Sequence, residues 1–220
     1  MPFGTNIKPA ASDLVHLDWL ERQGLHDFKG KRCMDLGCGS GFLSERQACE
    51  GAALAVGIDV APVAFPPSET KAKQGPFYLQ ADLNSASWLP PGFRDGQVQG
   101  FNLITAFNII EHLDSPWLFI KASRSLLGPG GRLIISSPNA VSWQRWTQPR
   151  RWLGGDPGAH KVLFTPYTLR FLLEGAGFEI LRLEAPVRQF GRIGRALGQI
   201  GAQILAVAQP GTVGGESAGV

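Results

Sequence analysis

The run Asp35-Leu-Gly37-Cys-Gly39-Ser-Gly41 joins an acid and three glycines between a short apolar stretch and a helical one. Glycines there let the backbone turn sharply and lie against a ligand with no Cβ in the way. Free N–H groups at the following helix start attract a carboxylate or phosphate. The spacing is Gly-x-Gly-x-Gly, whereas a dinucleotide fingerprint is Gly-x-Gly-x-x-Gly. Phe42 holds the place of the last fingerprint glycine, which blocks close helix–strand approach and argues against a pyrophosphate. Asp59 ends a second apolar run, where an acid accepts hydrogen bonds from ribose hydroxyls. Asp82 follows a third, a natural place to accept from an adenine amino group. The lesser alternative for each acid alone is a turn residue or helix cap, and for the glycines alone a ligand-free turn. In order along one chain they point to an adenosine-bearing ligand on one edge of a sheet.

Two histidines could move a proton. His112 follows Glu111 behind a fourth apolar run and reads either as a general base or as a cap of the next helix. His160 ends the long stretch 138–164 and reads either as a substrate contact or as a donor to a backbone carbonyl. That stretch contains Trp143-Gln-Arg145-Trp146-Thr-Gln-Pro-Arg150-Arg151-Trp152, which concentrates three of the six tryptophans with three arginines. The mixture suits a lid over a sugar, aromatic or anionic acceptor. RNA-binding segments share it, as does an amphipathic helix with Trp on the core and Arg snorkelling outward. Cys38 reads as a small packing residue of the turn.

The elements that must position these residues alternate in type. A helix is expected over 12–24 with Ser12 as N-cap, then strands at Arg32–Leu36, Ala53–Ile58, Phe77–Ala81 and Phe101–Phe107. Phe42–Glu50 and Pro116–Leu127 read as helices, the latter halted by Gly128-Pro129-Gly130-Gly131. Pro62, Pro66 and Pro67 exclude a long helix after the second strand. A fifth strand is expected at Arg132–Ser136, a helix capped by Thr165 with Pro166 in its first turn, and final strands at Phe178–Leu183 and Ile204–Ala208. Short apolar strands alternating with helices predict an α/β fold with a mostly parallel sheet covered on both faces. Residues 1–209 read as a single domain, with 138–164 as a substrate lid or loop and 210–220 as a disordered tail.

With 220 residues, 44% hydrophobic and 18% charged, the chain can bury a core and is neither disordered nor fibrous. No stretch approaches the roughly 20 apolar residues of a membrane span, and the N-terminus lacks a secretory pattern. Cys33, Cys38 and Cys49 are too few for a disulfide framework, so a reducing cytoplasm is expected. Net charge is uneven: residues 1–120 hold 9 Lys/Arg against 13 Asp/Glu, and residues 121–220 hold 12 against 5. The basic half reads as uneven surface decoration or as a face toward an acidic partner.

On these motifs the sequence resembles the class I S-adenosylmethionine-dependent methyltransferase superfamily. The likeness extends through Gln80-Ala-Asp82-Leu83, Phe101 to His112, Leu127 to Ile134, and Glu174 to Ile180. It looks most like the ubiquinone-type and glycan-tailoring small-molecule enzymes. The resemblance implies a doubly wound, Rossmann-like sheet of seven strands, in order 3-2-1-4-5-7-6 with the last antiparallel, and S-adenosyl-L-methionine as cofactor. It further implies Asp35, Gly37, Gly39 and Gly41 at the methionine end, Asp59 at the ribose, and Asp82 with Leu83 at the adenine. Asn108 would close the pocket. Ubiquinone-type members carry Glu-x-x-Glu-His, linked to a divalent metal, where this chain has Asn108-Ile-Ile-Glu111-His112. One hard ligand is missing, so no metal is expected.

The expected activity is O-methylation of a small polar, glycan or aromatic acceptor, with His112 and His160 as candidate bases. N- or C-methylation and a cofactor-binding regulator without turnover are the alternatives. The modest basic charge and the lack of an Asn/Asp-Pro-Pro-Tyr/Phe motif argue against a nucleic-acid acceptor.

Overall fold

Apolar runs flanked by turn residues produce a seven-stranded sheet in the computed structural model, which describes residues 8–61, 75–85, 88, 100–152, 158–187 and 199–211. In chain order the elements are helix α1 (Ala11–Arg22), β1 (Arg32–Leu36), α2 (Phe42–Cys49), β2 (Leu54–Asp59), β3 (Phe77–Gln80) and β4 (Phe101–Phe107). Next come a 3-10 turn (Ile110–His112), α3 (Pro116–Leu126), β5 (Leu127–Pro138), α4 (Trp143–Thr147), a second 3-10 turn (Pro149–Arg151), α5 (Pro166–Gly175), β6 (Phe178–Glu184) and β7 (Gln203–Pro210). The sheet order is β3-β2-β1-β4-β5-β7-β6. Neighbours from β3 to β5 pair in parallel, and β7 runs antiparallel to both β5 and β6. Both order and direction are as expected.

Period-two alternation sends successive strand residues to opposite faces. Met34, Ile104, Leu133 and Ile135 join a cluster with Phe119 and Ile120 of α3 and Leu169 and Leu173 of α5. Cys33, Leu103 and Ile134 point the other way, toward Leu17 and Leu20 of α1 and Phe42 and Leu43 of α2. The central strands are therefore buried on both sides, which is why they read as nearly unbroken apolar runs. No described helix is long and apolar enough to cross a membrane.

Several boundaries differ from expectation. Ser12 is not the cap of α1; the helix begins after Ala10, whose N–H is accepted by the Asp13 carboxylate at 2.8 Å. The Gly128–Gly131 run ends α3 but lies inside β5, because Leu127 already pairs with Phe101 before the register slips to Leu103–Arg132. Thr165 caps α5 in a reciprocal pair with Thr168, as expected. β7 includes Gln209 and Pro210, paired with Glu179 and Phe178, so the last strand passes the point where the tail was expected to start. Residues 62–74, where the prolines fall, and 212–220 lie outside the described residues.

Within the stretch 138–164, residues 138–152 and 158–164 are described and make regular contacts that their composition did not suggest. Asn139 forms a bridge with Phe164, and Ala140 N–H donates to the Phe164 carbonyl at 2.7 Å. The packed amphipathic helix is not what forms: α4 buries none of its five residues and Trp146 is 77% exposed. Instead the Arg145 guanidinium lies 5.4 Å from the Trp146 ring and 5.5 Å from Trp152, a cation–π pairing outside the core.

Candidate functional site

The turn after β1 holds a backbone that side chains rarely adopt. Gly37, Gly39 and Gly41 have φ of 73°, 51° and 76°. At Gly37 a Cβ would also meet the Ile109 side chain at 2.8 Å. Backbone groups brace the turn: the N–H groups of Gly37 and Cys38 both donate to the Ile58 carbonyl, at 2.8 and 3.0 Å. Gly39 N–H donates to Asp59 Oδ2 at 2.8 Å, and Tyr78 donates to the Gly41 carbonyl at 3.2 Å. Gly41 is the residue from which α2 starts.

Two cavities open on this edge and share Gly37. The larger, 290 Å³, includes Asp13 and His16 of α1, Asp35, Gly39, Phe107 and Asn108 in its wall. The smaller, 110 Å³, is lined by Asp59, Asp82, Leu83, Ile109 and His112 among others. Eight of the ten residues singled out in the sequence therefore face one of these two spaces. Gly41 lines neither and acts through the backbone. His160 also lines neither, nor does any described residue of 138–164. A third, separate space of 460 Å³ lies by Val141, Pro166, Tyr167 and Arg170.

Asp35 is 5% exposed and accepts a 2.6 Å hydrogen bond from the Thr105 hydroxyl. Burial pushes its pKa up to about 7; Thr105 works against the shift, and the nearby Asp13 and Asp59 carboxylates add to it. Asp59 is tied down on both oxygens, to Gly39 N–H and to Ala61 N–H at 2.9 Å. Asp82 is exposed and accepts the Asn84 N–H at 2.9 Å, while Leu83 beside it is buried. Cys38 is buried and its thiol pKa is raised by that burial, consistent with a packing role.

Asn108 carries the positive φ of 51° that turns β4 into the next segment. Its side-chain oxygen accepts from Gln203 at 3.0 Å and from the Ser136 hydroxyl at 3.3 Å. Ser136 in turn meets His16 Nε2 at 3.1 Å, and the His16 ring stacks on Phe107 at 4.1 Å. Sequence reasoning missed Asp13 and His16. The available signal was their position on the stripe of α1 that also carries Leu17 and Leu20, which turns them inward.

The 3-10 turn after β4 brings Glu111 and His112 against His160. His112 does not cap α3; Ser115 does, accepting from Leu118 N–H. A backbone-carbonyl contact is made by His112, whose Nδ1 lies 2.8 Å from the Ala159 oxygen. A carbonyl only accepts, so this nitrogen carries a proton, and in the neutral ring Nε2 has the lone pair. The two imidazole centroids are 4.8 Å apart. Glu111 is 1% exposed, and burial raises its pKa, with His112 and His160 opposing the shift.

Comparison with known proteins agrees with this geometry. Residues 10–183 match the family described as a methyltransferase domain. The ubiquinone biosynthesis O-methyltransferase of Neisseria meningitidis serogroup C is 27% identical over 161 residues, covering 73% of this chain and 60% of that one. The enzyme of the same name from Cereibacter sphaeroides is 30% identical over 160 residues, covering 69% and 62%. The chain thus spans about three-fifths of the length of these relatives. An S-adenosylmethionine-dependent methyltransferase structure from Mesorhizobium loti shares the fold with a TM-score of 0.64 at 20% identity, over 90% of this chain and 98% of that one. The match over most of its length shows that the chain belongs to the methyltransferase-domain family, among the class I S-adenosylmethionine-dependent methyltransferases.

Proposed function

We propose that the chain holds S-adenosyl-L-methionine across the two cavities that meet at Gly37 and transfers its methyl group to a small-molecule hydroxyl. The observation that carries this is the pair of cavities, with acids from three neighbouring strand ends around one glycine turn. In this reading Asp35 faces the donor's ammonium, and the start of α2 favours its carboxylate. Both oxygens of Asp59 keep a lone pair after bonding Gly39 and Ala61, enough to accept ribose hydroxyls. Asp82 and Leu83 flank the adenine. Asn108 closes the larger cavity.

The chemistry asks little of the protein beyond alignment. The acceptor oxygen attacks the methyl carbon, the carbon–sulfur bond breaks, and the electron pair leaves with S-adenosylhomocysteine. The acceptor's proton passes to His112 Nε2, the ring nitrogen left with a lone pair by the Ala159 contact. The ubiquinone relatives support an oxygen acceptor. The acceptor-side wall is assigned to the stretch 138–164, whose exposed Trp146 and Arg145 offer an aromatic and cationic face. We also take residues 1–209 as one domain, and its free cysteines as fitting a reducing cytoplasm.

Calorimetry with S-adenosylhomocysteine and with NAD tests the donor: the first binds one per chain and the second does not. Turnover on a panel of phenols and sugar alcohols tests the acceptor. Trp146→Ala raises the acceptor KM and leaves the S-adenosylhomocysteine Kd unchanged. Absence of affinity for S-adenosylhomocysteine defeats the proposal.

A further inference from the structure

We propose that Glu111, His112 and His160 together hold a borderline divalent transition-metal ion of the Zn²⁺ class beside the acceptor end of the site. The use of the ion rests on the methyl-transfer reading above; its binding does not. The potential ligand atoms of the three residues all lie within 4.8 Å of one another. Two ligands on one ion, with bonds of roughly 2.0–2.2 Å, lie at most about 4.4 Å apart, so small side-chain rotations complete the set.

The strongest observation is Glu111. Its carboxyl is almost wholly buried, yet neither oxygen has a hydrogen-bond partner among the described residues. The residue's own backbone N–H and the Ser137 hydroxyl are both near but out of hydrogen-bond geometry. A buried carboxyl left so is costly unless a cation or donor meets it. Nδ1 of His160 is likewise buried and unpaired among the described residues. His112 has the arrangement of most metal-bound imidazoles, one nitrogen on a backbone carbonyl and the other with no hydrogen bond among the described residues. The scaffold is firm, because Lys161 and Val162 N–H both donate to the Glu111 carbonyl, at 2.8 and 3.1 Å. This joins the segment carrying His160 to the turn carrying the other two ligands.

Composition of the set decides which ion. Mg²⁺ prefers oxygen ligands in a near-octahedral shell, whereas two imidazoles and one carboxylate suit Zn²⁺ and its neighbours. Asn108, which stands where the ubiquinone-type motif has its first acid, turns instead to Gln203 and Ser136. The expectation of no metal counted ligands within that motif. His160, from outside it, restores the number and softens the character. Three protein ligands leave positions open for water or an acceptor oxygen. With the ion bound, His112 Nε2 is a ligand and no longer the base, and the ion would act as a Lewis acid that makes a coordinated hydroxyl acidic enough to pass its proton to water.

The test uses the whole chain stripped with a chelator, titrated with Zn²⁺ and Mg²⁺ by calorimetry and with Co²⁺ by visible absorption. One Zn²⁺ binds per chain, millimolar Mg²⁺ gives no heat, and Co²⁺ gives ligand-field bands. His160→Ala and Glu111→Gln each weaken Zn²⁺ binding by more than roughly a hundredfold, beyond the loss expected for an outer-sphere partner. Both variants keep S-adenosylhomocysteine affinity, which shows that they fold; should Glu111→Gln not fold, His160→Ala decides. The proposal is overturned by no Zn²⁺ binding, by equal binding in wild type and His160→Ala, or by tighter binding of Mg²⁺. S-adenosylhomocysteine binding without Zn²⁺ binding sinks this inference alone, whereas the reverse sinks only the methyl-transfer reading.

Discussion

Gly39 donates its backbone N–H to Oδ2 of Asp59 across 2.8 Å, so the turn that leaves β1 is fastened to the acid that ends β2. With Ala61 N–H on the other oxygen, this carboxylate organises the edge before any ligand arrives. Asp59 therefore has a structural share as well as a proposed ribose-binding one.

Replacing Asp59 separates the two. Asp59→Asn keeps one acceptor oxygen for Gly39 but turns its NH2 toward Ala61 N–H and is expected to lose about 1 kcal/mol, while Asp59→Ala loses both bonds and roughly 2–3 kcal/mol. Both weaken S-adenosylhomocysteine, Ala more than Asn. Urea unfolding beside calorimetry reads the two effects; equal cofactor affinity in Asp59→Ala and wild type would contradict the ribose assignment.

Two glycines of the turn are expected to fail differently. At Gly39 an added methyl meets no atom within 4 Å. Gly39→Ala therefore folds at a cost of about 1–2 kcal/mol for its left-handed backbone and is felt mainly as lost cofactor affinity. At Gly37 the methyl would meet Ile109 Cγ1 at 2.8 Å and Cβ at 2.9 Å in addition to the positive φ. Gly37→Ala should be clearly the less stable of the two by thermal denaturation, and a reversed order would refute the steric account.

Asp35 links pH to both stability and binding. Its pKa rises from 3.8 to about 7 on burial in the fold. Between those values the folded chain keeps a proton that the unfolded chain has released, so the stabilisation is full below the lower value and fades as pH rises through about 7. The ligand-free Tm should decline over that window, and Asp35→Asn should remove this part of the slope. Cofactor affinity carries the opposite sign, because the donor's ammonium favours the ionised carboxylate. S-adenosylhomocysteine should bind more tightly as pH passes about 7 in wild type and stay flat in Asp35→Asn.

Asn108 offers a backbone test. Its φ of 51° is tolerable for Asn and easy for Gly. Asn108→Gly and Asn108→Ala lose the same side-chain bonds to Gln203 and Ser136. The Ala variant should be the less stable by about 1–2 kcal/mol, measured by chemical unfolding; equal losses would mean that the turn relaxes.

Much of the fold was legible because buried parallel strands announce themselves as short apolar runs between glycines. Arg32–Leu36 emerged with the bounds read from the sequence, as did Phe101–Phe107. Boundaries slipped where tertiary pairing overrode local chemistry. Leu127 joins β5 because Phe101 is there to pair with it, and Ser12 yields the start of α1 to an Asp13 side chain that reaches back to Ala10.

The chain's own order determined the glycine turn, the acids at three strand ends and the alternation of strands with helices, since each depends on local backbone preference and on apolar periodicity; the strand order itself came only with the family resemblance those motifs carry. Only the folded structure could set His160 against His112 and Glu111, turn Asn108 toward Gln203, and bring His16 onto Ser136. Those contacts join residues far apart in sequence, and their partners are chosen by how strands and loops pack rather than by any spacing along the chain.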